Sequence, residues 1–422
     1  CGRLPNLEMN RKEKKPAGTD ELMKQARAAW DEFDFDEAER LFKLVGAQGC
    51  AEAFYQLGKL YYYDADEAKA PAFYRRAANM GHARAAYHLG NLYMDAECGL
   101  KKDMAKAAKW WRVAAKADIP EAQVNLGVSY QDAEGVQQDY SKAAYWYSRA
   151  AGQGKPEGIH NLGNLYRKGL GVPQDDRKAF ELYKAAAKCG VANAQFSMGL
   201  AYADGRGTRK NMKLAALWYE RAAAQGQEQA CCNLSNMYLD GEAVQKDVRK
   251  GMELCRKAVE QGEPNAQCNL ARYHQRGKHV RRDIKRALEL YRLAARQNQE
   301  VALFRLGELY EIGRHVPKSV SRALYYYRRA SKFGGEDAQR RLGDLYRTGK
   351  GVKKNLKTAF MWYKRAAEHD DADEDSLFSL GRAYWHGEGV AQDQALAKRL
   401  IRKAAKAGCK AAQRFLAARG LR

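Results

Sequence analysis

The chain has 422 residues, 45% hydrophobic and 30% charged, about three common domain lengths with apolar mass enough for a large core. It has no apolar run near the roughly 18 residues a membrane-spanning helix requires, and its 8 prolines exclude a collagen-like or proline-rich chain. Lys and Arg number 74 against 51 Asp and Glu, a net charge of +23, which brings acidic partners into consideration.

The excess is uneven. Residues 1–100 carry 14 basic and 16 acidic groups, residues 251–350 carry 22 and 11, and the last 22 residues hold seven basic groups and no acid. The basic end is the C-terminal half.

At the start, Cys1 and Gly2 lead into a polar stretch, Arg3–Gly18, containing Pro5, Pro16 and a charged core. This opening is similar to that of a mature bacterial lipoprotein. The similarity implies acylation at Cys1, with membrane contact through that lipid alone. Two or more acyl chains anchor stably where one holds marginally. It also implies a flexible tether over 1–18 and, because Gly2 is not aspartate, the outer membrane as the compartment. Residues 19–49, with a turn at Asp34-Phe35-Asp36 and Ala38 beyond it, are expected to form a helical hairpin.

An internal repeat then governs the chain. Leu-Gly recurs at Leu57-Gly58, Leu89-Gly90, Leu126-Gly127, Leu162-Gly163, Leu306-Gly307, Leu342-Gly343 and Leu380-Gly381, with Met198-Gly199, Leu234-Ser235 and Leu270-Ala271 in the remaining places. From Gly127 to Gly343 the step is 36 residues each time. Each period reads as two helices. The first, as in Glu157–Lys168 and Ala194–Ala203, has apolar residues at helical spacing. A glycine loop follows, such as Gly169-Leu170-Gly171-Val172 or Gly349-Lys350-Gly351-Val352. The second helix is expected to start at a capping oxygen: Asp103, Asp139, Asp175, Asn211, Asp247, Asp283, Ser319, Asn355 and Asp393. It carries a bulky pair, for example Trp110-Trp111, Trp146-Tyr147 or Trp362-Tyr363, and ends in Ala-Ala. Glycine inside a helix costs roughly 1 kcal/mol relative to alanine. Its recurrence therefore implies close helix approach that seats the aromatic pair.

These residues carry a resemblance. Leu-Gly-x-x-Tyr, then Gly-x-Gly-Val-x-x-Asp, then Lys-Ala-x-x-Trp-Tyr and Ala-Ala are similar to the Sel1-like repeat (SLR), a relative of the tetratricopeptide repeat. Ten such repeats cover residues 50–417, preceded by a tetratricopeptide-like hairpin at 19–49 and followed by a basic tail at 418–422. The pattern departs at Tyr63–Ala70, at Lys250–Cys255 where the aromatic pair is replaced, and at a two-residue insertion in Glu368–Asp375. The resemblance implies an all-α, right-handed superhelical α/α solenoid. It also implies a non-enzymatic scaffold or adaptor that holds protein partners on a concave face, in the bacterial envelope or at the host interface.

No chemistry-bearing motif competes. The Gly205–Lys210 and Gly349–Lys354 runs lack the ending and the preceding strand of a phosphate loop. No Cys-x-x-Cys and no metalloprotease spacing occur among the histidines, His279 and His315 read as equivalent surface loop positions, and no catalytic residue, metal or cofactor is expected. Cys232 and Cys268, one repeat apart, are expected about 8–10 Å from each other, too far for an unstrained bridge, so buried free thiols are expected. Asparagines beside the Leu-Gly step (Asn125, Asn161, Asn164, Asn233, Asn236 and Asn269) are candidates for partner contact, with a structural role for them equally weighted. Arg256, Arg292, Arg328, Lys364, Arg365 and Arg402 on the second helices form a candidate ladder for an anionic polymer such as lipopolysaccharide, acidic polysaccharide or peptidoglycan, with nucleic acid the least favoured.

Overall fold

The computed structural model describes residues 18–63, 67–368 and 373–421. Cys1, nearly all of the 1–18 tether and the core of the acidic insertion lie outside the described residues. Among the described residues stand twenty-three α-helices, one short 3-10 turn at Glu67–Lys69 and no strand. Consecutive helices pack on one another in chain order from Thr19–Asp31 to Ala192–Asp204, and again from Glu228–Asp240 to Lys410–Ala417. The all-α solenoid expected from the repeat is present. Two compact units divide between Trp218 and Tyr219.

Local chemistry sets the helix bounds. All nine expected caps are made: each side-chain oxygen accepts from the backbone N–H three residues on. That satisfies one of the donors a helix start leaves open. At Asp103 and Asp139 the same carboxylate also pairs with the following lysine, Lys106 at 3.0 Å and Lys142 at 2.9 Å. First helices such as Pro156–Lys168 and Glu300–Ile312 stop at a left-handed glycine, Gly169 and Gly313. The second loop glycine answers a different demand. A Cβ on Gly135 would sit 2.1 Å from the Met104 carbonyl oxygen, so the loop lies directly on the start of the preceding second helix.

The helix-interior glycines hold the hairpins together. A Cβ built on Gly90 would fall 2.5 Å from the Trp111 ring, and one on Gly127 would fall 2.5 Å from Tyr147. In the second unit the same distances are 2.5 Å from Gly307 to Tyr327 and 2.4 Å from Gly343 to Tyr363. The second member of each aromatic pair is the more deeply buried, and Trp111, Tyr147, Tyr291, Tyr327 and Tyr363 are among the largest fully buried side chains. Burying a ring of this size contributes on the order of 2–3 kcal/mol, more than the helix cost of the glycine that admits it.

The departure at Lys250–Cys255 follows the same logic. Ser235 stands where most sister repeats have glycine, and its hydroxyl donates to the Gly251 carbonyl at 2.7 Å. Cys255 replaces the ring; burial pushes its thiol up to about 11, with the Ser235 hydroxyl pulling it back. A larger residue on one helix is matched by a smaller one on the other. Cys50, Cys98, Cys189, Cys231, Cys232, Cys255, Cys268 and Cys409 are all free.

Gly343→Ala should destabilise the full chain by about 1–3 kcal/mol through overpacking against Tyr363, read as a lowered urea midpoint. Adding Tyr363→Cys to Gly343→Ser should cost less than the sum of the two single changes, a coupling that a double-mutant cycle measures. Asn355→Ala should cost about 1 kcal/mol, since it removes only a cap.

Candidate interaction surface

The six candidate asparagines are all half-buried on first helices. Several also serve the core, because a buried Tyr or Trp needs a partner for its polar tip. Tyr183 donates to Asn164 at 2.8 Å, and Trp111 to Asn91, the residue that follows Leu89-Gly90, at 2.9 Å. In other repeats the acceptor is Gln131 for Tyr147 (3.3 Å), Gln275 for Tyr291 (3.0 Å), Glu311 for Tyr327 (2.9 Å) or Asp344 for Tyr363 (2.8 Å). Asparagines of adjacent repeats also join: Asn125 donates to Asn91 and Asn269 to Asn236, both at 3.3 Å. Asn161 stands beside the Tyr147 hydroxyl and His160.

Asn233, Asn236 and Asn269 additionally face solvent together. With Asn265, Gln299 and Val301 they line a groove of about 340 Å³ across three successive first helices, Glu228–Asp240, Pro264–Arg276 and Glu300–Ile312. Asn125, Asn161 and Asn164 do not belong to it.

The second-helix cations divide into those held by the fold and those left open. Arg329 donates to the Ala295 carbonyl at 2.9 Å and Lys257 to the Ala223 carbonyl at 3.3 Å, each capping the end of the preceding second helix. Arg149 pairs with Asp118, and Arg328 donates to the Tyr346 hydroxyl at 2.9 Å. Lys364 pairs with Glu368 at 3.7 Å, and Arg365 lies over the Trp362 ring at 5.8 Å. Arg402 has an interaction partner as well. Arg256 and Arg292 are exposed, with no hydrogen bond or ion pair among the described residues.

The histidine loops differ from a plain surface reading. His279 and His315 both adopt φ of +66°, a left-handed backbone that Gly171, Gly207 and Gly351 occupy in sister repeats. His315 is exposed, whereas His279 is half-buried against the Tyr273 ring edge at 5.3 Å, and its Nε2 is buried with no hydrogen-bond partner among the described residues. Nothing in the residue type announced this. Asp373, at the end of the acidic insertion, caps the helix Glu374–His386 through Ser376 at 2.8 Å.

Comparison with known families decides the architecture's identity. The Sel1 repeat model matches residues 49–82, 83–119, 120–155, 156–191, 192–227, 228–263, 264–299, 301–332, 336–371 and 374–409. The chain belongs to the Sel1-repeat family. Sel1-repeat proteins are in general protein-interaction scaffolds, and their solenoid is typically non-catalytic. Among solved structures, the chain is similar to a protective antigen of uropathogenic Escherichia coli with an SLR fold, at 30% identity and a TM-score of 0.53, covering 89% of this chain and 88% of that one. It is also similar to a Sel1 repeat protein from Oxalobacter formigenes, at 29% identity and a TM-score of 0.51, over 59% of this chain and 98% of that one. No curated protein matches it. The hairpin Thr19–Asp31 and Phe35–Ala47 precedes the first matched repeat.

One titration follows from this face. Burial pushes His160 down to about 4, with Asn161 raising it and Arg167 lowering it further, while its Nε2 lies 3.1 Å from Ser197 Oγ. The unfolded chain takes up this proton near pH 6.5, before the folded one does, so stability falls as pH drops from 6.5 to about 4 and this contribution levels below it. His160→Gln should flatten that limb of a thermal-melt pH series, and a proton-NMR titration should place the imidazole near 4.

Proposed function

We propose that this Sel1-repeat protein is a non-enzymatic adaptor that holds an extended protein segment along its first-helix face. The groove over Asn233, Asn236, Asn265, Asn269 and Gln299 carries the reading. Five carboxamides, each with donors and an acceptor, match the alternating N–H and C=O of a peptide backbone without demanding charge. Val301, 45% exposed at the groove's edge, supplies an apolar contact. The opposite face supports partner binding less well, since many of its cations already cap or brace neighbouring helices.

Placement in the bacterial envelope, with Cys1 as the lipid-bearing residue, belongs to the same proposal. The description of the similar Escherichia coli protein as a protective antigen supports the envelope placement.

A photo-crosslinking residue placed at Val301 should capture a protein from envelope extract, whereas one at Tyr325, 55% exposed on a second helix, should capture none. Asn233→Asp with Asn269→Asp should weaken the captured partner's affinity about tenfold, the loss expected when acceptor-only groups replace donors. A footprint on Tyr325 that excludes Val301 overturns the assignment.

A further inference from the structure

A second cavity, of about 470 Å³, opens where the ends of Pro264–Arg276 and Glu300–Ile312 meet the loops that follow them. Arg272, Arg276, Arg282, Arg305 and Arg314 line it, with Glu308 as the one acid. Glu308 pairs with Arg305 at 2.6 Å, and Arg272 donates to Asn269 at 3.2 Å. Arg276, Arg282 and Arg314 are exposed, and their side chains have no hydrogen bond or ion pair among the described residues. The two helix ends oppose an anion by roughly half a charge each, which five guanidinium groups outweigh.

The repeat does not require this cluster. Arg282 and Arg314 stand where sister loops also carry cations, Lys246 and Lys318 for the one and Lys278 and Lys350 for the other, but the helix positions depart from the two preceding repeats: Arg276 follows Asp204 and Asp240, and Arg305 follows Asn233 and Asn269. His315, also on the cavity wall, keeps a side chain at a left-handed position where other loops use glycine. The field reaches inward as well. Burial holds the Tyr291 hydroxyl up at about 12, with Cys268 adding to it, while Arg305, Arg272 and Arg276 pull it down.

We propose that this cavity binds a small oligophosphate, a ligand presenting a di- or triphosphate group to Arg276, Arg282 and Arg314. The charge count selects the class. Five arginines less one glutamate leave a surplus that a single carboxylate does not neutralise. Two or three phosphoryl groups, each carrying on the order of one to two negative charges, match it. Guanidinium forks engage phosphoryl oxygens in pairs, and the volume lies within the roughly 300–1,000 Å³ of small-ligand sites. This inference stands apart from the peptide groove: the two share Arg272, Tyr291 and Arg305, whereas Arg276, Arg282 and Arg314 line the cavity alone.

Isothermal titration of the full chain with sodium tripolyphosphate at about 0.15 M salt tests it. One saturable site is expected. Arg276→Gln with Arg314→Gln should weaken it at least tenfold, and Arg292→Gln with Arg328→Gln on the second helices should change it less than twofold. Adenosine triphosphate as a second titrant distinguishes a nucleotide from bare polyphosphate, and saturation by either at this site supports the proposal. In the unaltered chain, tripolyphosphate should protect Arg276, Arg282 and Arg314 from phenylglyoxal, read by peptide mass spectrometry, and leave Arg292 labelled, a readout that needs no variant to fold. Absence of saturable binding, equal loss in both double variants, uniform protection of all arginines, or preference for a long polyanion such as heparin with loss in the Arg292/Arg328 variant each overturns it.

Discussion

Six hairpins of this solenoid depend on a ring placed where a Cβ would otherwise be, over Gly58, Gly90, Gly127, Gly163, Gly307 and Gly343. Gly127 under Tyr147 and Gly343 under Tyr363 trade the helix propensity of alanine for a fully buried aromatic. The exchange is favourable because ring burial outweighs the local cost. Since each hairpin can bury its remaining apolar face only against the next one, the seat fixes how the helices of a pair approach and thereby what the next pair can pack on. At Ser235 and Cys255 a larger residue on the first helix meets a smaller one on the second, whereas the next repeat accommodates both Ala271 and the fully buried Tyr291.

The seat has a polar consequence that reaches the surface. A buried tyrosine or indole needs an acceptor, and here it comes from the first helix: Asn164, Gln131, Gln275, Glu311 or Asp344. Where that acceptor is a carboxylate, a cation follows it, as Arg341 pairs with Glu311 at 2.6 Å. The first-helix face is therefore partly written by the core, and its chemistry shifts from carboxamides to charges along the second unit.

Much of this was legible in the residues. Nine oxygen-bearing caps at a fixed step and a glycine at the same depth in successive helices are local requirements, so they survive in a single sequence. The asparagines were half legible, because carboxamide periodicity marks a face without saying whether Tyr183 or a partner uses it. The second-helix cations were also visible, yet their recurrence reflected capping, as at Arg329 and Lys257. Neither the groove nor the arginine cavity was visible. Arg272 and Arg276 lie about one repeat from Arg305 and Arg314, and only the stacking of two hairpins brings them to one opening.

In a repeat chain, then, periodicity and departure carry different information. A feature that returns every 36 residues answers a demand every hairpin makes, whether for a cap, a seat or a helix end. A departure that is compensated within its own hairpin, as Ser235 is by Cys255, answers the same demand by other means. A departure that leaves its charge unpaired at the surface answers neither. Arg276 replaces the aspartate of the two preceding repeats and finds no acidic partner among the described residues, whereas Arg305 replaces an asparagine, pairs with Glu308 and lines the same opening. Uncompensated like charge at close quarters is unfavourable for the folded chain by itself, so its concentration in one cavity locates a demand that the fold does not make.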